Sequence, residues 1–461
     1  MTQRPAAGAR VDVLVLGGGL AGMSAAYHLK KLSPRTSCLV AEKRRRPGGL
    51  AGSVEQDGFL FDHTGHLLHL HDAYGKELIL DLLAGNVRAL ARSSSIHSHG
   101  ATTRYPFQAN TYGLPARVVD ECVAGFLKTV HRPRPLIPGL SFKEWCLRAF
   151  GEGISRHFML PYNGKLWGMR LERITTEWQS RFIPKPAPEE VLYGGLFDQK
   201  KYFGYNASFR YPIRGGSQAL CDAMALRVPE LRLGCEARRV HLAERVAEID
   251  GLGEVRYGRL VSTLPLKGFL ELASPLPAAV RRAAAKLRYV SVYNLNIGIA
   301  RAGVSDKHWI YFPEKRFPFY RAGFCSNFSP HVVPRGATSM YIEVARRPGE
   351  RVDLDRLENG ILDGLRRCGI LRSSDKLLTK LWLPIPCGYV VYDRDRTPAV
   401  NTILPHLAKL GVDSIGRYGG WKYSFMEETI LDGKRCAERL SGRRPEAPAS
   451  GRPDRELTPL S

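Results

Sequence analysis

Three glycines, Gly17, Gly19 and Gly22, stand at a spacing suited to a bound phosphate. In GGGLAG the first glycine allows a tight turn, and the second lets backbone N–H groups approach a pyrophosphate. The third lets the following helix pack on the preceding strand. Leu20 and Ala21 open that helix, whose N-terminus favours an anion. Glu42 follows twenty residues after Gly22. A carboxylate there accepts hydrogen bonds from a ribose 2'-hydroxyl and repels a 2'-phosphate. Directly after the acid come the charge run Lys43 to Arg46 and a second glycine run that includes Gly49, Leu50 and Ala51. Most of the charge run reads as a solvated face. Lys43, beside the acid, and Arg46, at the turn, are the candidates for a cofactor.

The elements that would position these residues are legible around them. Val11 to Leu16 is a short apolar run, the pattern of a strand buried on both faces of a parallel sheet. Leu20 to Leu32 reads as a helix, and Cys38 to Ala41 as a second strand ending at Glu42. A plain glycine turn in an α/β domain accounts for the glycines but not for the acid, so a dinucleotide is the expected ligand. Further on, Ser141 precedes Glu144 by three residues, a capping-box signature for a helix. The prolines at 133, 135 and 138 divide residues 116–149 into two helices.

Composition narrows the partners. The 461 residues suffice for two or three domains, and 44% hydrophobic content is ordinary for a globular chain. Sixty-eight basic against 44 acidic residues give a formal charge of +24. Nucleic acid, an anionic membrane or a phosphorylated substrate would each answer that charge. The basic residues are scattered and form no nucleic-acid-binding motif, so no nucleic acid is expected. Nine dispersed cysteines without a CxxC pair point to reduced thiols, a cytoplasmic location and no metal site. Residues 1–10 lack the apolar core of a signal peptide, and no run of about 18 apolar residues occurs, so no integral membrane association is expected.

Several motifs carry a resemblance that covers nearly the whole chain. RPGGLAGS (46–53) resembles the RxGGxxxS element of the FAD family that includes amine oxidases, protoporphyrinogen oxidase, phytoene desaturase and UDP-galactopyranose mutases. GFLFDHTGH (58–66) is similar to the segment that passes beside the isoalloxazine in that family, with Gly65 and His66 matching. IGRYGGWKYSFM (415–426) resembles the closing strand, turn and helix, with Gly416, Arg417 and Met426 implied at the flavin. The likeness narrows to UDP-galactopyranose mutases at YPFQ (105–108), PYNGKLW (161–167), NASFRYP (206–212) and the segment 309–330, WIYFPEKRFPFYRAGFCSNFSP.

That resemblance implies a fold and a chemistry. The fold is α/β, a Rossmann-like FAD-binding domain with a parallel sheet, joined by an antiparallel substrate sheet and a helical insertion. The FAD-binding parts fall at 8–95, 201–270 and 396–440, and the substrate sheet at 96–110 and 271–395. A helical domain occupies 111–200, and the tail 441–461, rich in Pro, Arg, Ser and Gly, reads as disordered. By resemblance Tyr105, Phe107 and Gln108 hold uridine, and Asn163, Trp167, Asn206 and Phe328 contact the substrate. Tyrosine is the expected residue at position 328. Arg181, Arg321, Tyr311, Tyr389 and Tyr423 are implied at the diphosphate. The implied reaction interconverts pyranose and furanose forms of a UDP-sugar through an adduct at N5 of reduced FAD, with an external reductant such as NADPH. The competing class is an FAD oxidoreductase of the amine oxidase or protoporphyrinogen oxidase kind, which takes a hydride from its substrate. The sequence carries no signal for the oligomeric state.

Overall fold

The computed structural model describes residues 8–443 except Ser180, Arg181 and Tyr205. The expectations for Arg181 and for nearly all of the tail therefore lie outside the described residues. The first sheet is built on Ala9–Leu16, which pairs in parallel with both Cys38–Glu42 and Gly253–Ser262. Leu231–Leu233 and Val412–Ser414 extend the parallel part. Ala237–His241 and Val246–Ile249 add an antiparallel hairpin on the side of Gly253–Ser262.

Both faces of the first strand are covered, as its unbroken apolar run requires. Val13 and Val15 pack with Leu20, Met23 and Ile430 beneath the helices Leu20–Leu32 and Met426–Leu440. Leu14 and Leu16, which point the other way, join Leu260, Phe269, Ile403 and Leu407 in a second cluster.

The second sheet has seven strands, in the order Leu377–Val390, Tyr289–Ile299, Thr338–Arg346, Arg321–Phe324, Trp309–Tyr311, Ser94–Ser98 and Ala101–Arg104. Its neighbours are antiparallel apart from Trp309–Tyr311 against Ser94–Ser98. The strand Ser208–Tyr211 stands outside it, paired with Arg88–Ala91.

Between the early strands and the rest of this sheet the chain forms helices Ala116–His131, Phe142–Ile154, Leu160–Trp167 and Pro188–Leu196. The capping box is present: the Ser141 N–H donates to Glu144 Oε2 at 3.0 Å, and the Glu144 N–H donates to Ser141 Oγ at 3.3 Å. A π-turn, Ser155–Met159, joins the second and third helices. Among the described residues no helix is long and apolar enough to cross a membrane.

Candidate active site

One cavity of about 760 Å³ takes its walls from both sheets and from the helices. At one end lie the two glycine turns. Gly17 has φ +105°, and a Cβ on Gly22 would sit 2.0 Å from the Gly17 carbonyl oxygen, so helix and strand meet there without a side chain between them. The turns run side by side, bridged at Gly19 and Gly48, with the Gly48 N–H donating to Gly18 O at 2.8 Å. The helix that starts at Leu20 has no side-chain cap and no acid in its first turn. Its first amides therefore stand ready for an anion beside Gly17, Gly19, Leu20 and Ala21, all of which line the cavity.

Glu42 is buried at the same end. Its Oε2 accepts from the Gly18 N–H at 2.7 Å and its Oε1 from the Arg44 N–H at 2.8 Å, which fixes the carboxylate at the cavity wall. Lys43, Gly49, Leu50 and Ala51 also line this end. Arg46 does not. The chain reverses at Gly48, where φ is +108°, and the Arg46 side chain goes to solvent. Arg44 takes the place expected of it, with Nη1 donating to Gly49 O at 3.0 Å.

Gly65 and His66 form the middle of the wall. Burial pulls the His66 pKa down to about 3, and its Nδ1 has no hydrogen-bond partner among the described residues. The imidazole is neutral at ordinary pH and keeps a ring nitrogen for a ligand.

The far wall is aromatic and basic. Tyr311 lies 5.3 Å from both Tyr105 and Tyr162 between ring centroids. Tyr389 and Tyr423 stack at 6.0 Å, and the Arg417 guanidinium sits 4.6 Å from the Tyr423 ring and 5.5 Å from that of Tyr389. Arg417 donates to the carbonyls of Ser424 and Gly388 and makes no ion pair among the described residues. Gly416 and Met426 complete this wall.

Strand register sets a second basic position. Tyr311 is paired with Arg321, and Arg321 with Glu343, so the three stand in a row across neighbouring strands. Arg321 lines the cavity, but its Nε and Nη2 donate to the carboxylate of fully buried Glu343 at 2.6–2.9 Å. The fork of Nε and Nη2 is thus held by Glu343 rather than offered to a ligand.

The remaining expected contacts divide. Gln108 lines the cavity, its Nε2 donating to Pro184 O at 2.8 Å, and Asn163 does so with Nδ2 on Met159 O at 2.8 Å. Trp167 stands 5.0 Å from Trp178 and 6.1 Å from Tyr389, its indole N–H without a partner among the described residues. Asn206 accepts from Arg92, whose guanidinium covers the Tyr105 ring at 4.4 Å.

Phe107 and Phe328 are absent from the cavity wall. Residues 105–110 leave the sheet after Arg104, because Pro106 offers no N–H to a strand ladder, and Phe107–Ala109 forms a single 3-10 turn. That turn buries Phe107 completely behind Phe158, 5.1 Å away, and Phe158 is the ring that faces the cavity. Phe328 is also fully buried, turned inward after the 3-10 turn Cys325–Asn327 to pack against Phe209 and Tyr211. A hydroxyl there would meet a hydrophobic cluster, so the exchange of tyrosine for phenylalanine removes no group from the cavity.

Arg92 and Glu343 of this region escaped the sequence reading altogether, while Tyr162 lies within the motif PYNGKLW without a role of its own. Glu343 carried a signal, since a lone acid inside SMYIEVA can be buried only with a partner. Arg92, in ALARSSS, carried none.

Comparisons with known proteins agree with this geometry. Residues 15–84 match the NAD(P)-binding Rossmann-like domain family. The crystal structure of a reduced UDP-galactopyranose mutase superposes with a TM-score of 0.88 at 27% identity, covering 94% of this chain and 96% of that one. The chain has the fold of UDP-galactopyranose mutase. The mutase fold is shared with oxidases. A putative protoporphyrinogen oxidase from Exiguobacterium sp. 255-15 superposes with a TM-score of 0.71 at 16% identity, over 94% of this chain and 98% of that one. Coproporphyrinogen III oxidase of Bacillus subtilis (strain 168) is 19% identical over 385 residues, 76% of this chain and 80% of its own length. Those two likenesses speak to the fold alone; the mutase structure matches over the same share of this chain as the protoporphyrinogen oxidase, at higher identity and TM-score.

Proposed function

We propose that this chain is an FAD-dependent mutase that interconverts the pyranose and furanose forms of a UDP-sugar. The glycine end fits FAD: an uncapped helix N-terminus without acids for the pyrophosphate, and Glu42 for the ribose. When bound and reduced, FAD supplies the nucleophile for the anomeric carbon of the sugar. The chain's own residues hold the rest. Tyr105 and Gln108 take the base, and Asn163, Trp167 and Asn206 fix the ribose and sugar side. Arg417, Tyr389, Tyr423 and Tyr311 stabilise the diphosphate as it departs, through charge and hydrogen bonds.

The observation that carries this reading is the Arg417 cation, which has no acid partner among the described residues and stands between two tyrosines in the cavity wall. An unpaired, partly buried cation is costly unless an anionic ligand meets it. A hydrocarbon or amine substrate leaves that charge unanswered.

The test is chromatography of UDP-galactofuranose incubated with the protein, with and without dithionite. UDP-galactopyranose formed only under reduction is the expected result. A reducible protein that leaves this sugar unchanged, yet passes electrons from an amine or a porphyrinogen to oxygen, would place it among the oxidases.

A further inference from the structure

The helical insertion carries an apolar surface that none of the described residues covers. On the helix Ala116–His131, Val123, Leu127 and Val130 follow one another at i, i+4 and i+7, and Leu127 and Val130 are exposed. The helix Pro188–Leu196 lies against the same flank, where a Cβ on Gly195 would sit 2.8 Å from Val123. It leaves Leu196 66% exposed and Phe197, just beyond its end, 54% exposed. The loop after the first helix adds Leu136 and Ile137, the latter 53% exposed.

The loop side of this surface is basic, and acids such as Asp120, Glu189 and Asp198 lie on its other side. No Asp or Glu occurs between Glu121 and Glu144, while Lys128, Arg132 and Arg134 are exposed and make no ion pair among the described residues. The loop is also chemically suited to a lipid boundary. Pro133, Pro135 and Pro138 surround Leu136 and Ile137, and proline has no N–H to leave unpaired when the backbone loses water.

We propose that this surface docks the protein on an anionic lipid bilayer, with Leu136 and Ile137 seated at the headgroup boundary and Lys128, Arg132 and Arg134 against the headgroups. A second copy of the chain is the weaker fit. A two-fold interface would bring together two copies of a chain of charge +24. Such docking is peripheral and does not depend on the UDP-sugar reading.

The full chain is floated with vesicles of phosphatidylcholine alone and of phosphatidylcholine with phosphatidylserine, at low and high salt. Binding is expected only to the phosphatidylserine vesicles and is expected to fall with salt. The pairs Leu136→Ser with Ile137→Ser, and Arg132→Ala with Arg134→Ala, should each weaken it by roughly tenfold or more. Both pairs lie in an exposed loop, so thermal unfolding should stay unchanged and show that the variants fold. The pair Arg256→Ala with Arg282→Ala, exposed elsewhere, should leave binding intact. Equal loss from that control pair would mean diffuse charge rather than this surface. Absence of binding to anionic vesicles, or a dimer in light scattering that the Leu136 and Ile137 pair dissolves, would overturn the proposal; the dimer would assign the surface to a second copy.

Discussion

Arg321 and Glu343 face each other across adjacent antiparallel strands, and the guanidinium of one closes on the carboxylate of the other at 2.6–2.9 Å beside the cavity. Tyr320 adds its hydroxyl to the same carboxylate at 2.5 Å. Glu343 is fully buried, so those donors replace the water its carboxylate has lost.

It follows that Arg321→Ala should destabilise the fold by about 3–5 kcal/mol, because it strands a buried charge. Adding Glu343→Gln should restore a good part of that loss. Thermal unfolding of both singles and the double measures the coupling. Additive effects would mean the pair does not interact, and an activity loss in Arg321→Ala could then be read as lost substrate contact.

The glycine turn yields a contrast between two substitutions. Gly22→Ala places a Cβ 2.0 Å from a backbone oxygen and should lower thermal stability along with dinucleotide binding. A Cβ on Gly19 meets nothing nearer than Gly48 O at 3.9 Å, so Gly19→Ala should fold normally yet lose the bound chromophore, because the methyl stands where the pyrophosphate approaches. Flavin absorbance after purification, set beside melting temperature, separates the two. A Gly19→Ala protein that stays fully yellow would sink the proposed position of the pyrophosphate.

Glu427, at the start of the last helix, accepts from the His71 and Asp72 N–H groups at 2.9–3.1 Å and so ties down the segment that carries His66. Burial pushes its carboxyl up to about 7 from the usual 4.5. Between those values the folded chain holds a proton that the unfolded chain releases. The group's contribution to stability is thus fully present below about pH 4.5 and is lost as pH rises through 7. Wild type and Glu427→Gln should differ most in the slope of melting temperature over that interval, the variant being flatter. Parallel slopes would show that the carboxyl titrates normally.

On the mutase reading, Tyr389→Phe and Tyr423→Phe should each lower kcat by about tenfold through one lost hydrogen bond. Arg417→Ala should lower it by about a hundredfold or more through the lost charge. Steady-state rates with dithionite-reduced protein check this. An Arg417→Ala enzyme with unchanged kcat would remove the observation on which the reading rests.

The sequence by itself determined the cofactor end, because its signals are local. The turn GGGLAG, the acid twenty residues on and the capping box at Ser141 act over one or two turns of chain, where spacing and geometry are nearly the same thing. Motif likeness also singled out Tyr311, Tyr389 and Tyr423 for the diphosphate and Arg417 for the flavin. Tertiary structure decided which side of each motif faces inward. Phe107 and Phe328 sit within the quoted motifs, yet a 3-10 turn at each place sends the ring into the core, while Phe158 takes the wall. Only the register of separate strands, over twenty residues apart in the chain, set Glu343 beside Arg321, while Arg417 and Arg92 meet no acid among the described residues. Charge pairing depends on that through-space placement, and residue types along the chain do not encode it locally.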